Sequence, residues 1–284
     1  MFHHKIAILG STGYVGSHFL RLLKEQGVET LTPTRQDIDF NNIFQLSEYL
    51  FDNKVTFLVN CIGYTGKPNV DACEYNKEEC LLVNALLPTK ISLACELANI
   101  NWGHVSSGCI YNYYNKDYTE EDEPNFSFGN KCSYYSGTKA LAESFLKIDK
   151  RCYVWRLRVP FSNVDSNRNY ISKLLKYNKL NWCLNSLTDI DEFCKACLQC
   201  ITHTLPFGVY NLTNPGHMAA REVVTCVYEI LGINHVYTEH NPDELHPIVP
   251  RSNCILNVDK AMKYGIHMSP VKQAVQNALL NWTK

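Results

Sequence analysis

A short apolar run that ends in Gly10-Ser11-Thr12-Gly13-Tyr14-Val15-Gly16 limits what this chain can fold into more than any other stretch. Lys5 to Leu9 reads as a strand, and a helix from about Tyr14 to Gln26 follows the glycines. Glycines at these places permit a tight turn and let backbone approach a pyrophosphate, which the free N–H groups of the helix N-terminus then face. A glycine triplet alone is weak evidence, because a tight turn needs no ligand. At the first strand-to-helix junction of an alternating chain, it specifies a dinucleotide site.

The alternation continues. Glu29 to Pro33 reads as a strand and Ile43 to Phe51 as a helix. Val55 to Cys61 is a continuous apolar run, as a strand buried on both faces requires. A long helix over Lys77 to Ala98, a strand around His104 to Ser106, a polar acidic loop from Asn115 to Asn125, a helix over Tyr134 to Ile148 and a strand over Arg151 to Val159 follow. This order predicts an α/β fold, a Rossmann-like doubly wound parallel sheet with right-handed crossovers. Past Pro160 the rhythm changes: a polar loop from Asn163 to Asn169, helices over Tyr170 to Asn178 and Asp191 to His203, then short elements punctuated by Pro and Gly from Asn214 on. Residues 1–160 are expected to form the cofactor domain. Residues 161–284 are expected to form a small mixed substrate lobe, with 208–212 returning to the sheet.

The second strand ends Thr32-Pro33-Thr34-Arg35, where an NAD site usually places a carboxylate for the ribose diol. Arg35 suits a 2′-phosphate and favours NADP as NADPH, while nearby Asp37 keeps NAD open. Asn60-Cys61-Ile62, at the end of a buried strand, and the loop beginning at Pro160 are expected to line the cofactor at the sheet's carboxyl edge.

The reacting groups follow from a second pattern. Tyr135 and Lys139 stand at i and i+4 on one helix and share a face. Tyrosine ionises near pH 10, so working at neutral pH means stabilising its anion by roughly 4 kcal/mol. A neighbouring ammonium in a dry site is expected to supply that. Ser107, at the end of the preceding strand, can hold the same carbonyl oxygen, and two residues on Cys109 adds a thiol. Ser, Tyr and Lys point to reduction of a ketone. A thiol beside them points to proton movement on carbon.

Other classes are excluded by charge and composition. The 27 Lys+Arg balance 28 Asp+Glu and form no polybasic run, so nucleic acid and membrane are poor partners. No stretch is expected to reach the length needed to span a bilayer, and the apolar run at the N-terminus is too short for a signal segment. These features predict a cytoplasmic protein whose 13 cysteines are reduced and mostly buried. Cys194, Cys197 and Cys200 fall on one helical stripe and read as core thiols rather than metal ligands, so no metal is expected.

These pieces resemble the extended short-chain dehydrogenase/reductase family over the whole chain. Within it they resemble the nucleotide-rhamnose synthases, bifunctional 3,5-epimerase/4-reductases of plants and giant viruses. The segments that carry the likeness are Gly63 to Asp71, Gly108-Cys109-Ile110-Tyr111, Glu121 to Phe126, Arg168 to Lys173, Thr213 to Gly216 and Pro250-Arg251-Ser252-Asn253. The resemblance implies UDP-4-keto-6-deoxyglucose as substrate, UDP-L-rhamnose as product and NADPH as reductant. It implies that Lys173, which alone reads as a solvated helix lysine, joins Cys109 in the epimerisation. Thr65, Asn69, Arg251 and Asn253 are expected near the nucleotide sugar, Arg251 as a diphosphate clamp or simply as a surface ion pair. It also implies a homodimer built through Lys77 to Ala98 and Tyr134 to Ile148.

Three relatives and one remote class stay open. Sugar-nucleotide 4,6-dehydratases carry an Asp-Glu pair where this chain has Gly108 and Cys109, which disfavours dehydration. A plain 4-ketoreductase of the dTDP-4-dehydrorhamnose reductase kind needs no thiol, and GDP-fucose synthases pair Ser and Cys at this spacing too. A non-catalytic NADP-binding subunit would have no chemical reason to keep Ser107, Tyr135 and Lys139.

Overall fold

Six parallel strands form one sheet: β1 Lys5–Leu9, β2 Glu29–Leu31, β3 Phe57–Asn60, β4 Asn101–Ser107, β5 Cys152–Leu157 and β6 Gly208–Asn211. Their spatial order is β6-β5-β4-β3-β1-β2. The computed structural model describes residues 4–67, 69–113, 116–245 and 249–283; Pro68 and Asn115, which fall in segments read from the sequence, lie outside the described residues. From β1 the chain crosses to β2 on one side and then to β3 on the other, so the switch point of the sheet lies between β1 and β3. A crevice opens at the carboxyl ends of the strands in such a place.

The sheet is covered on both faces, and the period-two alternation of each strand divides its residues between two cores. From β1, Ile6 and Ile8 join Phe19, Trp155 and Phe193 in one core. Ala7 and Leu9 join Leu58, Ile91 and Trp102 in the other. Cys194, Cys197 and Cys200, on the helix Ile190–Thr202, are fully buried within the first core. Trp155 stacks on Phe57 and Tyr153 and fills space that a side chain at position 103 would need. A Cβ on Gly103 would lie 2.1 Å from that indole ring. Emptying a site of this kind costs about 3–5 kcal/mol.

The helix Lys77–Leu97 corrects one expectation. It has 21 residues and is long and apolar enough to cross a membrane by length and composition. Here Leu87, Ile91, Ala94 and Cys95 are spent on the second core. A π-helical turn, Leu82–Leu86, interrupts it and places Asn84 under the loop after β3. The Asn84 amide accepts the Tyr64 N–H at 2.7 Å and donates to the Tyr64 carbonyl at 2.9 Å. Single π turns of this sort recur at functional sites.

The second half holds longer helices than its Pro and Gly punctuation predicts. Ala220–Leu231 and Val271–Leu280 pack on each other through Val223, Val224, Val227, Ala274, Val275 and Ala278. The punctuation falls at their ends instead: Gly232 closes the first in the left-handed region (φ 67°), and Pro270 precedes the second. The helix at Tyr170 ends at Leu174, well short of Asn178, because Lys179–Asn181 is drawn into a parallel pair with Thr238–His240. Inside the expected acidic loop, Asp117–Tyr118 pairs in parallel with Ile255–Leu256.

Candidate active site

A cavity of about 780 Å³ opens at the carboxyl edge of the sheet, beside the switch point. At one end Gly13, Tyr14 and Val15 line it. Gly10 (φ 78°) makes the turn possible, and a Cβ on Gly16 would lie 2.1 Å from the Gly10 carbonyl oxygen. Gly13 caps the helix Tyr14–Glu25 with no side-chain hydrogen bond, so the first-turn N–H groups are left to face an anion. That cradle fits a dinucleotide pyrophosphate. Ser11 is buried and Thr12 exposed, and neither faces the cavity. Tyr14 Oη donates to Ser162 Oγ at 3.1 Å and ties the cradle to the loop beginning at Pro160, which itself is part of the cavity lining.

Cys61 and Ile62 line the cavity, whereas Asn60 lies behind it, fully buried. Its Oδ1 accepts the Ile62 N–H at 3.0 Å and its Nδ2 faces His104 Nδ1 at 3.1 Å. Arg35 is exposed and lies outside the cavity lining. Asp37, the alternative for an NAD ribose, is committed locally: Oδ2 accepts the Thr34 N–H at 2.7 Å and its hydroxyl at 2.8 Å. Those two bonds hold its carboxyl below the usual range.

Ser107, Cys109, Tyr135 and Lys139 line the same cavity. Ser107 ends β4, and its Oγ accepts the Cys109 N–H at 3.2 Å, capping the 3-10 turn Gly108–Ile110 that turns the thiol inward. Tyr135 and Lys139 come from the helix Tyr134–Leu146, which Ser133 caps through its side chain. Lys139 Nζ donates to the Val105 carbonyl at 3.1 Å and lies 3.4 Å from His104 Nε2. Burial lowers Lys139 to about 8, against the opposing charges of Glu143 and the neighbouring thiols. For Tyr135 the expectation of a depressed value is corrected. Burial pushes it up, the charge of Cys109 adds to that, and the hydrogen bond with Ser107 only partly opposes them. Tyr135 therefore stands protonated, the form that gives a proton to a ketone oxygen.

Part of the lining comes from the second half of the chain. Lys173, on the short helix Tyr170–Leu174, belongs to it, and burial followed by the charge of Arg168 lowers its ammonium. Thr65 and Asn69 line the cavity from the loop after β3. Two arginines join the walls. Arg168 donates to Thr65 Oγ1 at 2.7 Å, and Arg251 pairs with Asp71 at 2.6 Å while its Nη1 is buried with no hydrogen-bond partner among the described residues. A buried guanidinium donor left unpaired at a cavity wall suits an oxyanion. Asn253 is buried outside the cavity and accepts from Asn185 at 3.0 Å.

Arg158 is the residue that sequence reasoning missed. It lines the cavity from the end of β5, buried, with Nη1 2.9 Å from Cys109 Sγ. The available signal was a second basic residue two positions after Arg156, in an otherwise apolar strand. Arg168 was missed as well, although it shares a short polar segment with Lys173.

A doubly wound sheet with a glycine cradle at its switch point defines a dinucleotide-dependent oxidoreductase. The chain belongs to the family described as the RmlD substrate binding domain, whose profile matches residues 4–283. It is 28% identical to the bifunctional dTDP-4-dehydrorhamnose 3,5-epimerase/dTDP-4-dehydrorhamnose reductase of Arabidopsis thaliana, over 94% of this chain and 90% of that protein. It is also 28% identical to a trifunctional UDP-glucose 4,6-dehydratase/UDP-4-keto-6-deoxy-D-glucose 3,5-epimerase/UDP-4-keto-L-rhamnose-reductase of that plant, over 95% of this chain. The chain spans 41% of the length of that relative. The fold is similar to the crystal structure of the L780 UDP-rhamnose synthase from Acanthamoeba polyphaga mimivirus, with a TM-score of 0.91 at 23% identity, covering 98% of this chain and 99% of that one. It is similar too to dTDP-4-dehydrorhamnose reductase from Bacillus anthracis in complex with NADP, with a TM-score of 0.84 at 15% identity and 99% of each chain covered.

Proposed function

We propose that this protein converts UDP-4-keto-6-deoxyglucose to UDP-L-rhamnose, by epimerisation at C3 and C5 followed by NADPH-dependent reduction at C4. One observation carries the reading: Ser107, Cys109, Tyr135, Lys139 and Lys173 line one cavity together with the dinucleotide cradle. In this reading 1–160 serve the cofactor and 161–284 close over the sugar. Bound at the cradle, NADPH supplies the hydride that reaches C4.

The chain's own groups do the rest. A ketone at C4 acidifies the hydrogens on C3 and C5, so a base on one face and an acid on the other can invert each centre. In this reading Cys109 and Lys173 take those two parts. Ser107 and Tyr135 hydrogen-bond the C4 oxygen, and Tyr135 passes its proton there as the carbonyl is reduced. Lys139, donating to Val105, holds positive charge beneath Tyr135 and steadies the phenolate that remains. Arg251 offers its unpartnered Nη1 to the diphosphate. Thirteen free thiols accord with a reduced, cytoplasmic setting. The exposed Leu82, Leu93, Leu97, Phe145 and Ile148, on or just past the helices Lys77–Leu97 and Tyr134–Leu146, support a homodimer. Light scattering is expected to give about twice 32.5 kDa.

Turnover of the keto-sugar with NADPH in D2O tests the whole reading. UDP-L-rhamnose deuterated at C3 and C5 is the expected product, with that label lost in Cys109→Ala. A reduced sugar without deuterium would leave a 4-ketoreductase, in which Cys109 takes no part.

A further inference from the structure

The geometry points to Arg158 as the group that holds Cys109 as a thiolate, which makes Cys109 the base and Lys173 the acid of the epimerisation. The assignment of base and acid rests on the bifunctional reading; the charge on Cys109 does not.

The argument begins with an unbalanced cation. Arg158 is 6% exposed, and a guanidinium stays protonated wherever it is placed. Arg156, two residues earlier and also buried, is answered by Glu143 at 2.7 Å. Arg158 has no such answer: among the described residues no ion pair joins it to a carboxylate. Its Nη2 donates to Asn185 Oδ1 at 2.6 Å and to the Ser252 carbonyl, both neutral, and its Nε is buried with no hydrogen-bond partner among the described residues. Its Nη1 ends on Cys109 Sγ at 2.9 Å. A buried charge with no counter-charge is strongly disfavoured, and the sulfur is the ionisable atom in contact with it.

The arrangement is held firmly. Asn185 Oδ1 also accepts the Cys254 N–H at 3.2 Å, and Asn185 Nδ2 donates to Asn253 Oδ1 at 3.0 Å, so the amide cannot turn its oxygen away from Arg158. Asn253, expected at the sugar, serves this network instead. The other ionisable groups facing Cys109 are Tyr135 and Lys139, from the helix Tyr134–Leu146, and Cys254. Burial pushes Cys254 up, so it stays a thiol, and its Sγ donates to the Gly108 carbonyl at 3.2 Å. Negative charge on Cys109 acts on the two helix residues in opposite ways, raising Tyr135 and favouring the Lys139 ammonium.

In the step this implies, Cys109 sulfur takes the proton from the carbon next to the C4 ketone. The C–H pair moves into an enolate, whose oxygen Ser107 and Tyr135 hold. The Lys173 ammonium then returns a proton to the opposite face of that carbon, and the pair reforms a C–H bond. Cys109 is left as thiol and Lys173 as amine, and proton exchange with water restores both.

The test needs no substrate. Cys109 alkylation by iodoacetamide is followed by peptide mass spectrometry from pH 6.5 to 8.5, in wild type, Arg158→Met and Arg158→Lys. The expected result is a nearly flat wild-type profile, a rate at pH 6.5 at least tenfold above that of Arg158→Met, and recovery of most of it in Arg158→Lys. A wild-type rate that climbs about tenfold per pH unit, as for an ordinary thiol, overturns the proposal even if Arg158→Met fails to fold. A flat profile with no deuterium at C3 or C5 during turnover would keep the Arg158–Cys109 pair and remove the epimerase. Deuterium with a steep profile would do the reverse.

Discussion

Nε2 of His104 faces Nζ of Lys139 at 3.4 Å, beneath the reaction centre. Asn60 decides what that contact means. Its Oδ1 is taken by the Ile62 N–H, so its Nδ2 donates to His104 Nδ1; Nε2 then carries the ring proton and cannot accept from the Lys139 ammonium, which donates to the Val105 carbonyl instead. Burial, then the lysine's charge, hold His104 well below the usual imidazole range, so it is neutral at pH 7.

Because burial brings Lys139 down to about 8, its ammonium is lost as pH rises through that value. The proposed reduction needs the ammonium, so kcat/KM for the keto-sugar is expected to fall about tenfold per pH unit above pH 8. Initial rates of NADPH oxidation between pH 6 and 10 check this. A profile flat to pH 10 would show that Lys139 keeps its proton.

Glu143 has two tasks. It neutralises Arg156, with both side chains almost wholly buried, and it opposes the loss of the Lys139 proton. Glu143→Ala leaves a buried unpaired guanidinium and is expected to cost about 3–5 kcal/mol in urea unfolding. If the variant still folds, its alkaline limb should lie at lower pH than that of wild type.

The hydrogen bond from Arg168 to Thr65 joins the two walls of the cavity, 103 residues apart in sequence. Thr65→Val removes the acceptor and keeps the shape. A loss of about 1 kcal/mol should raise KM for the nucleotide sugar roughly fivefold while kcat and NADPH affinity change little. Unchanged KM would mean that the latch does not bear on substrate.

Two glycines separate crowding from backbone strain. Gly16→Ala drives a methyl to within 2.1 Å of the Gly10 carbonyl oxygen and should collapse the cradle, with NADPH binding lost by fluorescence titration. Gly27 has φ 67° and open space where a methyl group would stand, so Gly27→Ala should cost only about 1–2 kcal/mol of stability. Its NADPH affinity should stay at the wild-type level.

The elements of the first half were legible because their signals are local. Lys5–Leu9, Tyr14–Glu25, Ile43–Asp52 and Tyr134–Leu146 stand within a few residues of where periodicity and glycine placed them. The second half was harder to read. Val223, Val224 and Val227 carry a helical stripe, but Pro215, Gly216 and Gly232 bracket it closely enough to suggest fragments. At the site, Tyr135, Lys139, Ser107 and Cys109 were visible as residue types at fixed spacing. The ionisation of Tyr135 was not, because burial, a property of the assembled cavity, outweighs the hydrogen bond with Ser107.

Spacing along a chain sets which backbone can turn, coil or extend, and so the sequence by itself determined the sheet, the cradle and the identity of the proposed reacting groups. Charge acts through space and depends on what surrounds it. Only the tertiary structure brought Arg158 to Cys109 across 49 residues, placed the Ser252 carbonyl against it across 94, and set Lys173 in the lining of the same cavity. In the proposed reaction those juxtapositions decide which proton moves, because the field at a buried atom comes from its neighbours in space rather than its neighbours in sequence.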